Sequence, residues 1–245
     1  MRPEVRKQLL DINRHFYETF ARSFSASRFA PQPGYERIIR YFPERGHVLD
    51  VGCGNARVAH FLDTHGKAVT YLGVDRSAGL LAQAREQSRT LRHVRARFLL
   101  LDVGEPGWER VLDRARFDVV LALAVLHHIP GAAVREAFMR GAASLLRPGG
   151  YLILSHWRFL YSERMRRKIV PWEEVGLAAK DVDPGDYLLD WKKGGYGYRY
   201  VHQVTEEEVD AWARAAGLTV VESFYSDGRE GDLSFYQVLT LKGQA

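Results

Sequence analysis

Three aspartates and two glycines carry the strongest chemical signal in this chain. Asp50 closes the apolar run Val48-Leu49 and opens the turn Val51-Gly52-Cys53-Gly54-Asn55-Ala56, which leads into a helical pattern from Arg57. Gly52 and Gly54 have no Cβ, so a ligand can lie against bare backbone there, and the N–H groups of the following helix start face it. Asp75 ends a second apolar run, Tyr71-Leu72-Gly73-Val74, 21 residues beyond Gly54. An acid about 20 residues after a glycine turn bonds ribose hydroxyls in nucleotide-binding α/β folds. Asp102 ends a third run, Phe98-Leu99-Leu100-Leu101. Three acids ending three successive strand-like runs line one edge of a parallel sheet, where open α/β sheets bind ligands. The dinucleotide pattern G-x-G-x-x-G needs a third glycine where Arg57 stands, and Asp50 suits a cationic amine better than a pyrophosphate.

Two further stretches could do chemistry. The fourth apolar run ends in Ala122-Leu123-Ala124-Val125-Leu126-His127-His128. Adjacent histidines point to different sides and no carboxylate sits at ligand spacing, so a metal site is not the first reading. One histidine facing a substrate, or one packed and one solvated, are equal alternatives. Residues 157–204 mix Arg164, Arg166, Arg167, Lys168, Lys192 and Lys193 with Trp157, Trp172 and Trp191. Such a mix suits base stacking and phosphate contacts. Glu173, Glu174, Asp181, Asp183, Asp186 and Asp190 offset much of the charge, and a solvated lid is the competing reading.

The elements that must position these residues follow from periodicity. Val5, Leu9, Ile12, Phe16, Phe20 and Phe24 form one face of a helix over 4–24, with His15, Tyr17 and Arg28 at or beyond its end and Pro31, Pro33 and Gly34 breaking it. A short helix spans 35–42. Strands at 48–51, 71–74, 96–102, 117–124 and 150–156 then alternate with helices at 56–65, 77–90, near 107–115 and 132–146, which implies βαβ units and a parallel sheet covered on both faces. Residues 157–204 interrupt the alternation. Thr205 and Glu208 form a capping box for a helix to Ala216, which Gly217 ends. Strands 218–225 and 234–242 follow. The expected organisation is a cap over 1–46, a ligand-binding core over 47–156, a substrate-side insertion over 157–204 and completion of the sheet over 205–245.

At 245 residues and 46% apolar content, the chain suits one large globular domain. A net charge of +5 is a mild basic excess, compatible with nucleic acid and equally with solvated arginines. The single cysteine, Cys53, excludes an internal disulfide and a cysteine-rich zinc site, and fits a cytoplasmic location. The longest apolar run, Val119 to Leu126, is too short to span a bilayer.

The glycine turn after Asp50, the acids Asp75 and Asp102, and Leu146-Arg147-Pro148-Gly149-Gly150-Tyr151 resemble the class I S-adenosylmethionine-dependent methyltransferases. That resemblance implies a Rossmann-like α/β fold with a seven-stranded, mostly parallel sheet, an antiparallel last strand and helices on both faces. It implies S-adenosyl-L-methionine as donor, S-adenosyl-L-homocysteine as product, and a donor site of Tyr17, Arg28, Asp50, Gly52, Cys53, Gly54, Asn55, Asp75, Arg76, Ser77, Asp102, Val103, Leu123 and Ala124. Segments outside the core resemble one subgroup, the methyltransferases that esterify 5-carboxymethyluridine at the tRNA wobble position. They are the run from His15 through Tyr17, Ala21, Phe24 and Ser25 to Arg28, then Ala124-Val-Leu-His127-His128, Val170-Pro171-Trp172, Arg199-Tyr200-Val201-His202 and Asp232-Leu-Ser-Phe235-Tyr236. Gln32 departs from the usual tryptophan and Val201 from the usual tyrosine. Members in eukaryotes work with an activator subunit, and nothing in this chain implies one.

Methyl transfer is an in-line displacement, so alignment can supply up to about 7–11 kcal/mol of the barrier. A carboxylate acceptor is already ionised, with pKa near ~4, and needs no base. It needs a cation to grip one oxygen, and Arg28 and Arg199 are the candidates, with His202 and His127 adding hydrogen bonds. A hydroxyl or amine acceptor would need a base, for which His127 is the candidate. The Tyr17 ring would face the sulfonium charge. The leading acceptor is tRNA; the alternatives are a small-molecule carboxylate or hydroxyl, and a non-catalytic module that only binds the donor.

Overall fold

A computed structural model describes residues 1–26, 31–112 and 115–243, with only the backbone over 21–26. The helices are α1 (Pro3–Ala26), α2 (Gly34–Ile38), α3 (Arg57–Thr64), α4 (Ala78–Gln87), α5 (Ala132–Ser144), α6 (Glu163–Arg166) and α7 (Glu206–Ala215). The strands are β1 (His47–Val51), β2 (Thr70–Asp75), β3 (Arg95–Leu100), β4 (Phe117–Leu123), β5 (Leu146–Trp157), β6 (Ile169–Val170), β7 (Asp186–Trp191), β8 (Gly197–His202), β9 (Leu218–Ser226) and β10 (Ser234–Leu241).

Seven strands pair in the order β3-β2-β1-β4-β5-β10-β9. β1, β2, β3, β4 and β5 are parallel, and β10 runs antiparallel to both its neighbours. Side-chain alternation assigns the two faces. Val48, Tyr71, Val119, Leu121 and Ile153 pack against α2, α3 and α4 through Ile38, Phe61 and Leu81. Leu49, Val51, Val120, Leu152 and Leu154 pack on the other side against α5 and α7 through Phe138, Met139 and Trp212. Burial on both faces is why the central strands read as continuous apolar runs rather than alternating ones. Each such fully buried side chain contributes about 1.5–3 kcal/mol. The seven-stranded sheet is the one the sequence implied, and the Thr205–Glu208 capping box is present, with the Glu208 N–H donating to Thr205 Oγ1 at 3.2 Å. No helix among the described residues is long and apolar enough to cross a membrane.

Several local expectations need correction. His15 and Tyr17 lie inside α1, not at its end, because the helix continues to Ala26. The segment expected as a helix near 107–115 is a single 3₁₀ turn, Trp108–Leu112, after Gly107 at φ +86°. β5 begins at Leu146, so Arg147-Pro148-Gly149-Gly150 belongs to the strand, with Leu146 already paired to Phe117 before a register shift. β3 stops at Leu100, two residues short of Asp102.

The largest surprise is the 157–204 insertion. It folds its own antiparallel sheet, β6-β7-β8. Leu188, Leu189, Tyr200 and Val201 are fully buried in it. One face packs on α1 through Val5, Leu9, Trp172 and Tyr200. The other packs on Phe159 and Met165. It is a packed layer rather than a solvated lid, and the period-two alternation over Tyr187-Leu188-Leu189-Asp190 is blurred because both faces are covered.

Candidate active site

The main cleft opens over the carboxyl ends of β1, β2 and β4. Strand order reverses between β1 and β4, which is where an open α/β sheet leaves a crevice. Its walls include Leu10, Asn13 and Tyr17 of α1, Asp50, the 52–55 turn, Asp75, Arg76, Asp102, Val103, Leu123, Ala124, His128 and Trp157.

The turn is held by backbone. The N–H groups of Gly52 and Cys53 both donate to Val74 O, at 2.8 and 3.0 Å. Gly52 has φ +72°, and a Cβ there would meet Val125 Cγ2 at 2.6 Å. Gly54 has φ +55°, and a Cβ there would meet nothing, so its backbone faces the open cleft. Ala56 and Ala124 also hold positive φ, 62° and 60°. Such conformations cost roughly 1–3 kcal/mol and persist where the surroundings enforce them; here they flank the cleft.

The acids differ in environment. Asp50 is 2% exposed and accepts from the Tyr71 hydroxyl at 2.5 Å. Burial raises its pKa to about 7, Asp75 adding to the rise while the Tyr71 bond and Arg57 oppose it. Arg57 offsets the burial only in part, and an incoming ammonium would offset more of it. Asp75 accepts from the N–H groups of Gly54 (2.9 Å) and Ser77 (2.8 Å), tying the turn to the start of α4. The Arg76 N–H also bonds this carboxylate, which keeps some acceptor capacity for a ligand hydroxyl. Asp102 accepts from Gly104 N–H at 2.9 Å, and Arg76 stands 3.6 Å from it.

Among the residues expected around the donor, Tyr17, Asp50, Gly52, Cys53, Gly54, Asn55, Asp75, Arg76, Asp102, Val103, Leu123 and Ala124 all line the cleft. Ser77 does not: it is 2% exposed and its hydroxyl caps α4 by accepting from Leu80 N–H. Arg28 lies outside the described residues.

The acceptor-side expectations divide more sharply. Arg199, on β8, is 3% exposed. Its guanidinium lies over Trp157 (4.5 Å) and Phe16 (5.0 Å); Arg199 does not itself line the cleft but sits behind Trp157, which does. Its Nε and Nη1 have no hydrogen-bond partner among the described residues. Burial pulls its pKa down, while a hydrogen bond with Tyr17 opposes this.

His202, expected at the substrate, is taken up elsewhere. Nδ1 is 2.8 Å from Asp186 Oδ1, and Nε2 is 3.0 Å from Glu208 Oε1. Two carboxylates on one imidazole raise its pKa despite burial. The ring fastens β8 to the cap of α7 and does not line the cleft. His127 is also set back, fully buried and stacked on Trp157 at 5.0 Å. The histidine on the cleft wall is His128, whose Nε2 is 2.9 Å from the Tyr17 hydroxyl and whose Nδ1 is 3.1 Å from Tyr200 O.

Asn13 was missed. It is 2% exposed, lines the cleft, and its amide donates to the carbonyls of His128 and Tyr200, each at 3.2 Å. A signal existed: Leu9, Asn13, Phe16 and Phe20 share one helix face, and a polar residue on such a face needs buried partners.

Comparison with known proteins places this geometry. A methyltransferase domain family matches residues 49–152. A protein of Encephalitozoon cuniculi assigned to the methyltransferases is 30% identical over 208 residues, covering 84% of this chain and 87% of that one. The tRNA (carboxymethyluridine(34)-5-O)-methyltransferase ALKBH8 of Macaca fascicularis is 30% identical over 141 residues, 58% of this chain but only 19% of that longer protein. A ubiquinone biosynthesis O-methyltransferase of Coxiella burnetii is 32% identical over 180 residues, 72% of this chain and 64% of that one. A solved S-adenosylmethionine-dependent methyltransferase of Methanosarcina mazei shares the fold, with TM-score 0.65 at 19% identity over 84% of this chain and 97% of that one.

Proposed function

This chain belongs to the methyltransferase family, with the fold of its class I members, and we propose that it transfers a methyl group from S-adenosyl-L-methionine to a carboxylate, the acceptor being the carboxymethyl group of a modified tRNA wobble uridine. The observation that carries the carboxylate reading is Arg199. A guanidinium that is 3% exposed, with two nitrogens lacking partners among the described residues, is costly unless an anion joins it. A carboxylate matches its planar fork.

The cleft residues fit the donor. The buried Asp50 carboxyl suits the ammonium, Asp75 retains acceptor capacity for ribose hydroxyls, and the bare Gly54 backbone admits close approach. When bound, S-adenosylmethionine supplies an electrophilic methyl on a positively charged sulfur. Arg199 holds one acceptor oxygen and aims the other toward the cleft, with Tyr17 and Trp157 fixing the guanidinium. The attacking oxygen is already ionised, so the new O–C bond forms as the C–S bond breaks and no proton is left to remove. The chain's contribution is therefore alignment and exclusion of water rather than acid–base chemistry.

tRNA as the carrier of the carboxylate is supported by the likeness to ALKBH8 and by the subgroup motifs around Arg199. A second reading, O-methylation of a small hydroxyl compound, is favoured by His128 on the cleft wall, where a base could act, and by the likeness to the Coxiella burnetii enzyme. The separating experiment supplies labelled donor with tRNA bearing 5-carboxymethyluridine, followed by nucleoside digestion. Label on the wobble nucleoside, formed about 10- to 100-fold more slowly in Arg199→Ala, supports the first reading. Label only on a small hydroxyl acceptor, retained in Arg199→Ala, supports the second.

A further inference from the structure

Val48, Asp50 and Tyr71 share one face of the sheet. β1 and β2 run parallel with Val48 opposite Tyr71 and Asp50 opposite Gly73, and side chains alternate along each strand. Tyr71 therefore sits one step behind Asp50, away from the strand ends where the cleft opens. Gly73 brings no side chain to the place beside Asp50, and a Cβ there would meet Cys53 Sγ at 2.8 Å and Phe98 at 2.9 Å. The group that reaches Asp50 is the Tyr71 phenol, whose hydroxyl donates to Asp50 Oδ2 at 2.5 Å. Tyr71 is fully buried, with its ring 6.2 Å from Phe98 in the apolar layer that α3 and α4 cover. A phenylalanine would fill that apolar space equally well. A hydroxyl is costly there without a partner, and Asp50 is its partner. Burial and the neighbouring Asp50 raise the phenol well above its usual pKa, so it stays a donor.

We propose that Tyr71 is a positioning residue for the donor: it holds Asp50 Oδ2 from behind the cleft, fixes the plane of the carboxylate and presents Oδ1 to the ammonium of S-adenosylmethionine. This rests on the reading of Asp50 as the ammonium's partner and adds the group that orients it. Asp50 is on the cleft wall and Tyr71 is behind it, so the oxygen left by the phenol is the one a ligand meets. The same bond favours the ionised carboxyl. Burial and the nearby Asp75 disfavour that form, and Arg57, at the start of α3, favours it alongside Tyr71. Cys53, pushed well above its usual range by burial, is a neutral thiol beside them. Tyr35 of α2 packs in the same cluster.

The test is Tyr71→Phe, which removes the hydroxyl and keeps the ring, beside Asp50→Asn and the double variant, with thermal unfolding checked for each. Isothermal titration gives S-adenosylmethionine affinity across neutral pH. Affinities are read as the ratio of wild type to variant at each pH, so that titration of the donor's own amine cancels. Tyr71→Phe should bind about tenfold more weakly at about pH 6 and within about twofold of wild type at about pH 9, because losing one bond to a charged group moves the Asp50 midpoint up by about one pH unit. In the Asp50→Asn background the same change should matter by less than about twofold. A loss of the same size at every pH, or no loss, with Asp50→Asn still impaired, would overturn the role of Tyr71 and leave that of Asp50 standing. If Asp50→Asn binds donor like the wild type, the ammonium reading has failed. Carboxyl-carbon resonances of labelled aspartate then decide, the Asp50 signal being the one absent from Asp50→Asn. A midpoint moved up in Tyr71→Phe supports Tyr71 as the group that orders this carboxylate, and an unmoved midpoint overturns it.

Discussion

Asn13 of α1 reads both backbone groups of Tyr200 in β8, accepting from its N–H at 2.9 Å and donating to its carbonyl at 3.2 Å. A helix is thereby joined to a strand as a neighbouring strand would be. The consequence is positional: α1 carries Tyr17 of the donor cleft, and β8 carries Arg199 one residue before Tyr200. The buried amide ties the two halves of the site together, beside the Arg199–Tyr17 hydrogen bond and the packing of Tyr200 with Val5 and Leu9.

Asn13→Leu keeps the volume and removes that amide. It leaves the Tyr200 N–H buried without its partner, at a cost of about 1–3 kcal/mol. Denaturant unfolding should show that loss. Turnover should fall further than the stability loss explains, because Arg199 loses its register against the cleft. Unchanged stability would show that Tyr200 finds another partner.

Arg199→Ala should leave donor affinity within about twofold and reduce turnover by about 10- to 100-fold, the worth of hydrogen bonds to a charged group. Arg199→Lys should recover little, because an ammonium lacks the planar fork. Isothermal titration with donor, beside initial rates with acceptor, checks both parts. Loss of donor binding in Arg199→Ala would move this residue to the donor side.

Asp50 gives a pH signature with a defined sign. Its pKa in the free protein is raised to about 7, chiefly by burial. Only the ionised form pairs with an ammonium, so donor affinity should be level above about pH 7 and fall below it, by at most about tenfold per pH unit. Asp50→Asn should bind donor weakly and lose this dependence. For folding, the raised value means that stability from the neutral carboxyl is full below about pH 4 and lost as pH rises through about 7. The Asn variant should be flatter over that window.

His202 has the opposite task from the one its motif suggests. Its pKa is raised above 6.5: burial alone would lower it, but Asp186 and Glu208 outweigh that. Its contribution to stability is therefore full below about pH 6.5 and lost as pH rises through the raised native value. His202→Gln should be destabilised most at low pH and least at high pH, with donor affinity unchanged. A variant equally destabilised at all pH values would contradict the ionic role.

The cleft residues expected around the donor were legible because their pattern is local. Asp50, Gly52 and Gly54 sit within one turn, and Asp75 follows at a spacing set by one βαβ unit, so short-range pattern carries the information. The acceptor half was not, because its partners are distant in sequence. Asp186 and Glu208 meet at His202 only once β7, β8 and α7 are assembled. Asn13 and Tyr200 are separated by 187 positions. His127 and His128 are neighbours in sequence, and only the 3₁₀ turn Leu126–His128 determines which one reaches the cleft. The small sheet in 157–204 was hidden for a related reason: acids such as Asp186 and Asp190 that read as solvated are 6% and 8% exposed.

The most direct measurement treats methylated product with mild alkali after transfer from labelled S-adenosylmethionine to tRNA bearing 5-carboxymethyluridine. A methyl ester releases its label as methanol, whereas a methyl ether or methylamine keeps it. Carboxylate chemistry at Arg199 predicts label that is released by alkali and forms about 10- to 100-fold more slowly with Arg199→Ala. Label that survives alkali, or forms equally well without the guanidinium, would contradict the account.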